Sequence, residues 1–507
     1  AQVHFPHTRS AGDEAWLQRT SGPGGLMSYW YAFAGDPNEA PEPTAPMVDF
    51  TASPTAGIEQ LWVGFDNDTV TSGATTWAWD FNNDGTVDST ERNPSWVYPT
   101  AGTYTVSLTA TNALGTDSMT RSNYITVTAP QPTTYVPVSP TRLLDTRNGN
   151  GLSGRFNANM PRTFQVSGRG GVPVGATAVT GNLTVTNQSN PGFVYLGPSP
   201  IKYPPTSALN FPLGDSRANG VTLALGPGGT LSATFAPTGS TDLVFDVTGY
   251  FVPNTTGSTY FPLEPSRVLD TRDGTGLADP FSANTPRTFA VGGVAGVPAN
   301  AVAVAANLTV TQQSMAGYLY LGPTATANPA SSTLNFPVGD NRANNVILAL
   351  GGGGTLSATY VASGGTAHLI LDVTGYFVAG TSGARFVPLT PSRLLDTRFG
   401  NGLSGVFTEY SPRTFQVVGR GGVPASAVGV TGNLTVTMQT KNGAMYVGPN
   451  ANANPPTSTL NFPIGDSRAN GVTVALGAGG TLSPTYMTTW GTGTTHLVFD
   501  VTGYFKP

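Results

Sequence analysis

The residues best suited to chemistry lie in one short loop, from Asp80 to Glu91. Oxygen-bearing side chains stand at its first, third, fifth, ninth and twelfth positions, and Gly85 stands at the sixth. This is the spacing of a calcium-binding loop, because calcium takes six to eight oxygen ligands and the glycine permits a sharp turn. The sequence therefore predicts a structural Ca²⁺ site, with the ligands Asp80, Asn82, Asp84, Thr86 (through its carbonyl oxygen), Asp88 and Glu91.

A second interpretation of this loop stays open. The residues on either side alternate as in strands, whereas the helix–loop–helix calcium hand is flanked by helices. Because Asp, Asn and Gly favour turns in any case, the same residues could form a polar hairpin loop that holds no cation.

A second set of polar residues, all Arg and Asp, recurs at matching places along the chain. One interpretation is a polar ligand site, for a sugar for example. The favoured interpretation is a set of structural braces, because charged residues make up only 10% of the chain and buried charges must be paired. The members are Arg142, Asp145, Arg147, Asp215, Arg217 and Asp246, then Arg267, Asp270 and Arg272, then Arg393, Asp396 and Arg398.

Composition excludes several classes of function. The chain has no cysteine, so it has no disulfide and no thiol nucleophile. Its four histidines include two, His368 and His496, whose counterpart in another copy of the repeat is Asp242, which argues against a shared catalytic or metal role. The net charge of −5 disfavours nucleic-acid binding, and no apolar run is long enough to span a membrane. We predict a protein that is not an enzyme.

Internal repetition sets the organisation of the chain. The motif Arg-Leu-Leu-Asp-Thr-Arg, with Val in one copy, places its aspartate at Asp145, Asp270 and Asp396. Each copy closes on Asp-Val-Thr-Gly-Tyr-Phe, at 246–251, 372–377 and 500–505. Units of about 120 residues are domain-sized, so each is expected to have its own core. Short linkers rich in Pro or Gly predict a semi-extended rod of separate beads.

Apolar and polar residues alternate within each unit, as in the run from Asn182 to Thr186. About eight short strands separated by Gly, Pro and Asn predict an antiparallel β-sandwich that is jelly-roll-like, with a β-trefoil as the lesser alternative. The whole chain is therefore predicted to be all-β. The expected domains are 1–44 (an N-terminal extended arm and Pro-rich linker), 45–129, and the three repeats 133–253, 258–379 and 384–507.

Residues 45–129 resemble a PKD (polycystic kidney disease) domain. The matching residues are Trp79-Asp80-Phe81, Asp84-Gly85, Tyr98, the run from Gly102 to Val106, and Asn112 with Gly115. The resemblance implies an immunoglobulin-like β-sandwich that acts as a spacer or interaction module in an extracellular protein. The three longer units resemble a repeat found in secreted actinobacterial and related bacterial proteins, which implies an extracellular location but no defined activity.

The N-terminal segment is rich in aromatic residues but too short for a core of its own. It is either the tail of an upstream domain or an assembly arm that adds a strand to another chain. The residues of this candidate arm are Trp16, Trp30, Tyr31 and Phe33.

These features predict an extracellular structural or adhesive protein that self-assembles as a surface, filament, sheath or S-layer-like subunit. Self-association would use the arm and the sandwich edges. One alternative is a glycan-binding accessory region of a secreted hydrolase, for which exposed aromatic residues at Tyr195, Tyr320 and Tyr446 would argue. Another is a virion fibre or decoration protein.

Overall fold

A computed structural model describes residues 16–21, 27–32, 44–488 and 492–507. In these ranges the regular structure consists of β-strands, and the sheets are built almost entirely from antiparallel pairs, which confirms the all-β prediction. The described residues contain no helix with the length and apolar character needed to cross a membrane.

The N-terminal segment differs from the extended arm that the sequence predicts. Strands β1 (Trp16–Ser21) and β2 (Met27–Ala32) pair with each other as an antiparallel hairpin, with Trp16 opposite Ala32. Trp30 and Tyr31 lie on β2, and Phe33 lies outside the described residues. The backbone groups that an extended arm would offer to another sheet are thus partly used within the hairpin.

The next unit is a two-sheet sandwich. Its core is aromatic: Phe50, Phe65, Trp79 and Phe81 are almost fully buried, and their rings pack in edge-on, tilted and stacked contacts. One sheet has the order β3-β5-β7 and the other β4-β9-β8-β6. The strands are β3 (Phe50–Ser53), β4 (Ala56–Ile58), β5 (Leu61–Asn67), β6 (Thr76–Asp80), β7 (Ser95–Tyr98), β8 (Gly102–Asn112) and β9 (Gly115–Thr128).

The first repeat is a jelly roll with eight strands in its two main sheets and a ninth, short strand. Its sheets have the orders β10-β18-β13-β16 and β12-β17-β14-β15, and the short β11 pairs with β18. Its own apolar core fills the space between the sheets. The strands are β10 (Thr134–Asp145), β11 (Phe156–Asn157), β12 (Arg162–Gln165), β13 (Ala178–Thr186), β14 (Gly192–Gly197), β15 (Leu209–Phe211), β16 (Arg217–Ala224), β17 (Thr230–Ala236) and β18 (Ser240–Val252).

The second and third repeats have the same strand orders and cores of their own. The second contains β19 (Ser258–Asp270), β20 (Phe281–Ser282), β21 (Arg287–Ala290), β22 (Ala303–Thr311), β23 (Gly317–Gly322), β24 (Leu334–Phe336), β25 (Arg342–Ala349), β26 (Thr355–Val361) and β27 (Thr366–Ala379). The third contains β28 (Arg385–Asp396), β29 (Phe407–Thr408), β30 (Phe415–Gln416), β31 (Gly429–Thr437), β32 (Gly443–Gly448), β33 (Leu460–Phe462), β34 (Arg468–Ala475), β35 (Thr481–Met487) and β36 (Thr494–Lys506).

The repeats do not form the rod that their linkers predict. They close into a ring with pseudo-threefold symmetry, which we call the head (residues 133–507). Equivalent backbone pairs join each repeat to the next: Tyr135 with Ser258, Tyr260 with Ala384, and Phe386 with Thr133. The last of these joins the third repeat to the first through two hydrogen bonds, of 2.8 and 3.1 Å.

An aromatic cluster shared by the three repeats explains the closure. Two aromatic residues of each repeat, one near its start and one near its end, meet on the axis with almost no exposure. They are Tyr135 and Phe251, Tyr260 and Phe377, and Phe386 and Phe505. Separate beads would leave these rings in water, so burying them together favours the closed head by about 1.5–3 kcal/mol for each ring.

Candidate functional site at the head axis and the inter-repeat grooves

A ring of alternating Arg and Asp side chains surrounds the axis at the end opposite the aromatic cluster. Arg217 binds Asp215 of its own repeat at 2.6 Å and Asp466 of the third repeat at 2.7 Å. The other repeats reproduce both contacts, so that each aspartate is shared by two arginines. The remaining pairs are Arg342 with Asp340 and Asp215, and Arg468 with Asp466 and Asp340.

Burial distinguishes this Arg–Asp ring from surface ion pairs. The three arginine side chains are only 2–3% exposed, and the aspartates are 13–17% exposed. Burial opposes ionisation of Asp340 and Asp466, but hydrogen bonds and positive charge from the arginines outweigh it and lower the pKa of both. The ring therefore holds six charges in a mutually paired state across all three repeats.

Local sequence explains how each ring position is built. Strand β15 ends at Phe211, and Pro212 with Gly214, whose φ is +77°, turns the chain back into β16. The turn places Asp215 two residues before Arg217, where β16 begins. The sequence identified this pair as a brace within one repeat. It did not show that the second partner of each arginine lies in the neighbouring repeat.

A layer of asparagines lies next to the ring and also crosses between repeats. Asn219 donates from Nδ2 to Asn433 Oδ1 at 2.9 Å, and its own Oδ1 accepts the backbone N–H of Gly471 at 2.6 Å. Asn344 and Asn470 each donate and accept the equivalent bonds with their neighbouring repeats. These buried amides fix the register between repeats, because an unpaired partner in this layer would cost about 1–3 kcal/mol.

The second group of repeated charges lies at the outer side of each inter-repeat contact. Arg142 binds Asp246 at 2.9 Å and Asp145 at 3.3 Å, and Arg147 binds Asp145 at 2.7 Å. The same geometry recurs around Arg267, Asp270, Arg272 and Asp372, and around Arg393, Asp396, Arg398 and Asp500. Burial raises the pKa of Asp246, Asp372 and Asp500, although the paired arginine opposes the shift.

The arginines of this group border a groove between the third and first repeats, which we call the inter-repeat groove. Its volume is about 240 Å³. The third repeat contributes Arg393 and Arg398, and the first contributes the half-buried ring of Phe193. Other polar groups along it are Ser207, Asn210, Thr435, Thr437 and Ser467.

The aromatic residues singled out from sequence lie elsewhere. Tyr195, Tyr320 and Tyr446 are 1%, 8% and 5% exposed, so they pack in the cores and cannot serve as platforms for a sugar. Two residues earlier, Phe193, Tyr318 and Ala444 are half-buried, and each is the second residue of its strand. His368 and His496 each share one hydrogen bond through Nδ1, with the hydroxyl groups of Thr271 and Thr397 respectively, at 2.9 Å.

The Asp80 to Glu91 loop connects β6 to β7 in the N-terminal sandwich. Asp80 accepts the backbone N–H groups of Asp84 and Gly85 at 3.2 and 2.8 Å. Asp84 Oδ1 accepts the N–H of Thr86 at 2.8 Å, a bond that lowers the pKa of Asp84. Further bonds run from the N–H of Phe81 to Asp88 Oδ2, from Asn82 Nδ2 to Asp84 Oδ2, and from Trp79 Nε1 to the carbonyl oxygen of Glu91.

The family comparison identifies the unit that contains this loop. Residues 42–127 match the family model of the PKD domain. This segment of the chain is a PKD domain. The match confirms the resemblance found from sequence for this segment, and a comparison with curated proteins finds no match.

Two solved structures show a limited likeness. The N-terminal four Ig domains of Dscam1 isoform 1.9 share 10% identity with a TM-score of 0.16, covering 86% of this chain and 100% of that one. A Bacteroides ovatus protein, SGBP-B of a mixed-linkage glucan utilization locus, in complex with a mixed-linkage heptasaccharide, shares 12% identity with a TM-score of 0.13. That match covers 90% of this chain and 100% of the other. Both TM-scores are too low to indicate a shared arrangement of domains.

Calcium binding by the PKD domain stays a prediction. Among the described residues, no three His, Cys, Asp or Glu side chains are grouped so that they could hold a metal ion. The hydrogen bonds within the loop account for its shape without a cation. If the loop is a calcium site, the protein should bind Ca²⁺ saturably with a dissociation constant of about 0.1–1 mM, and Ca²⁺ should raise its melting temperature. Replacing Asp80 by Asn should abolish both effects. A melting temperature that is the same in Ca²⁺ and in chelator would mean that the loop is a polar hairpin.

One exposed apolar position recurs in all three repeats. Leu213, Val338 and Ile464 are 59%, 58% and 59% exposed, and each lies two residues before an aspartate of the Arg–Asp ring. The head therefore carries three aliphatic side chains around the axis, at the end opposite the aromatic cluster. We call this the distal tip.

Proposed function

We propose that the protein is an extracellular, non-enzymatic adhesive protein that binds surface glycans through its three-lobed head. One observation carries the proposal: a single chain closes three like repeats around an axis and so presents each repeat surface three times. Weak contacts repeated on a rigid body add in free energy, because the second and third binding events become intramolecular. Such a head is suited to multivalent attachment to a surface that presents the same ligand many times.

The PKD domain is suited to be the spacer of this adhesive. It precedes the first repeat in the chain and contacts the third, where the Thr390 hydroxyl donates to the carbonyl oxygen of Glu59 at 3.3 Å. Thr390 lies in β28, a few residues after the aromatic cluster residue Phe386. The PKD domain therefore meets the aromatic end of the head, and the distal tip is left for contact with a surface.

Co-sedimentation with insoluble polysaccharides tests this function. The full chain, incubated with a panel of neutral and acidic polysaccharide particles, should leave the supernatant with at least one of them. A soluble oligosaccharide of the same sugar should release it. An inert protein of similar size and charge should stay in solution. The proposal fails if the chain stays in the supernatant with every polysaccharide.

The distal tip favours a second candidate, self-association into a filament, sheath or S-layer-like array. Exposed aliphatic residues grouped on a surface commonly mark protein contacts. The sandwich edges offer less than the sequence suggested, since β10, β19 and β28 are each bridged to the neighbouring repeat. Light scattering and electron microscopy of the full chain should then show assemblies. A variant with Leu213, Val338 and Ile464 all changed to Ser should lose them.

A further inference from the structure

We propose that the inter-repeat groove binds an acidic sugar, that is, a glycan unit carrying a carboxylate. This inference rests on the proposed function and names the ligand class of one site. It follows from the charges that face the groove, from the donors left free there, and from the aromatic ring beside them.

The exposed charge in the groove is positive, although each of its arginines is paired with a carboxylate. Arg393 and Arg398 side chains are 28% and 32% exposed, whereas the carboxylates they bind, Asp396 and Asp500, are 2% exposed. The carboxylates lie behind the guanidinium groups and hold them in place. A ligand that enters the groove therefore meets two fixed guanidinium groups, which suit a planar carboxylate.

Hydrogen-bond donors remain available on these guanidinium groups. Arg398 uses Nε and Nη2 on Asp396, at 2.9 and 2.6 Å, and within the described residues its Nη1 has no hydrogen-bond partner. Arg393 uses each of its three nitrogens once, on Asp500 and Asp396. Each of its two Nη atoms thus keeps a second N–H. A carboxylate can accept these donors without displacing an existing pair.

The rest of the groove suits the body of a sugar. Ser207, Asn210 and Thr437 supply hydroxyl and amide groups, and Phe193 supplies an apolar ring face. Such a mixture of one aromatic surface with a few placed polar groups is typical of small-ligand sites. The volume, about 240 Å³, lies just below the usual range for such pockets, which fits one unit of a longer glycan.

The chain contains its own control for this site. Between the second and third repeats, Arg267 and Arg272 take the places of Arg393 and Arg398, with the same pairing to Asp372 and Asp270. There Ala444 replaces Phe193, and Arg267 Nη2 already donates to the carbonyl oxygen of Pro456 at 3.0 Å. This equivalent position lacks the aromatic face, and one of its free donors is used. We therefore expect it to bind acidic sugar more weakly.

Titration calorimetry on the full chain tests the inference, with trimers of galacturonic acid and of glucuronic acid as probes. At least one of them should bind, and the neutral trimer of the same configuration should bind at least tenfold more weakly. Tyr318 takes the place of Phe193 between the first and second repeats, so Arg147→Gln is used as the background that removes this equivalent position. In that background, Arg398→Gln should weaken acidic-trimer binding at least tenfold, and Phe193→Ala at least threefold. Arg272→Gln breaks an equivalent ion pair and should change binding less than twofold, which separates loss of the site from loss of a brace.

The outcomes separate this inference from the proposed function. Equal losses in Arg398→Gln and Arg272→Gln would overturn the inference, as would equal binding of acidic and neutral trimers or no binding of either acidic trimer. If the chain still sediments with polysaccharide particles in any of those cases, the adhesive function stands and only the groove assignment is lost. If the acidic trimers bind but no particle retains the chain, the groove assignment stands and multivalent adhesion fails.

Discussion

Replacing Arg217 by Met is expected to lower the free energy of unfolding of the head by about 3–5 kcal/mol, because it removes one cation from a buried ring and leaves two aspartates with one partner each. Methionine keeps most of the side-chain volume, so the loss reports charge and hydrogen bonding rather than a cavity. Denaturant unfolding followed by circular dichroism would measure it.

A surface pair provides the control for this substitution. Arg121 binds Asp49 at 2.8 Å in the PKD domain, but the two side chains are 33% and 55% exposed. Replacing Arg121 by Met should cost about 1–2 kcal/mol, because the exposed pair contributes little and the bond from Nε to the carbonyl oxygen of Phe50 is also lost. If both substitutions cost the same small amount, the Arg–Asp ring does not hold the repeats together.

The same ring makes the head sensitive to acid. The pKa values of Asp340 and Asp466 are lowered in the folded head, so their stabilisation is fully present above the ordinary aspartate pKa of about 4 and is lost as the pH falls through the lowered values. The raised pKa values of Asp246, Asp372 and Asp500 act in the opposite sense, because protonation relieves their burial. We expect the head to loosen below about pH 4, and the Arg217→Met variant to lose less stability there than the parent.

Replacing Gly220 by Ala is expected to have an effect of similar size, by steric conflict. A methyl group at this position would lie 1.8 Å from the carbonyl oxygen of Asn345 in the next repeat. Gly471 is equally constrained, with the carbonyl oxygen of Gly220 at 2.1 Å. Because backbone would have to move, the cost should be about 3 kcal/mol, and the contact between the first and second repeats should open.

Gly352 supplies the matched control in the same head. A methyl group added there meets no atom within 4 Å, and its φ is not in the left-handed region. Gly352→Ala should be neutral or slightly stabilising, through the lower entropy of the unfolded chain. Equal stability of the two alanine variants would contradict the close approach of backbones at the axis.

The sequence predicts most of each domain and little of how the repeats are arranged. Period-two alternation, turn residues and the internal repeats lead to the jelly-roll sandwiches, and the Trp79 to Phe81 region leads to the PKD domain. Closure of the head depends on strand faces that carry polar residues, and the alternation pattern predicts that such faces are exposed to water. Strand β16 is buried on both sides, since its polar residues Asn219 and Thr222 face neighbouring repeats instead of water.

One sequence signal for the closure was available. Asn219, Asn344 and Asn470 occupy the same place in three strands, directly after an equivalent Arg and Ala. Amide side chains retained in an otherwise apolar strand indicate a polar partner, but the pattern does not say that the partner lies in another repeat. The inter-repeat groove could not be predicted from the sequence for the same reason, because its two walls are far apart in the chain.

Small-angle X-ray scattering of the full chain in solution tests the closed head most directly. A compact head with one attached PKD domain should give a radius of gyration below about 30 Å and a single main maximum in the distance distribution. A string of four separate domains would give roughly 40 Å and a long tail of distances. The larger value would contradict the Arg–Asp ring, the shared aromatic cluster and the inter-repeat groove together.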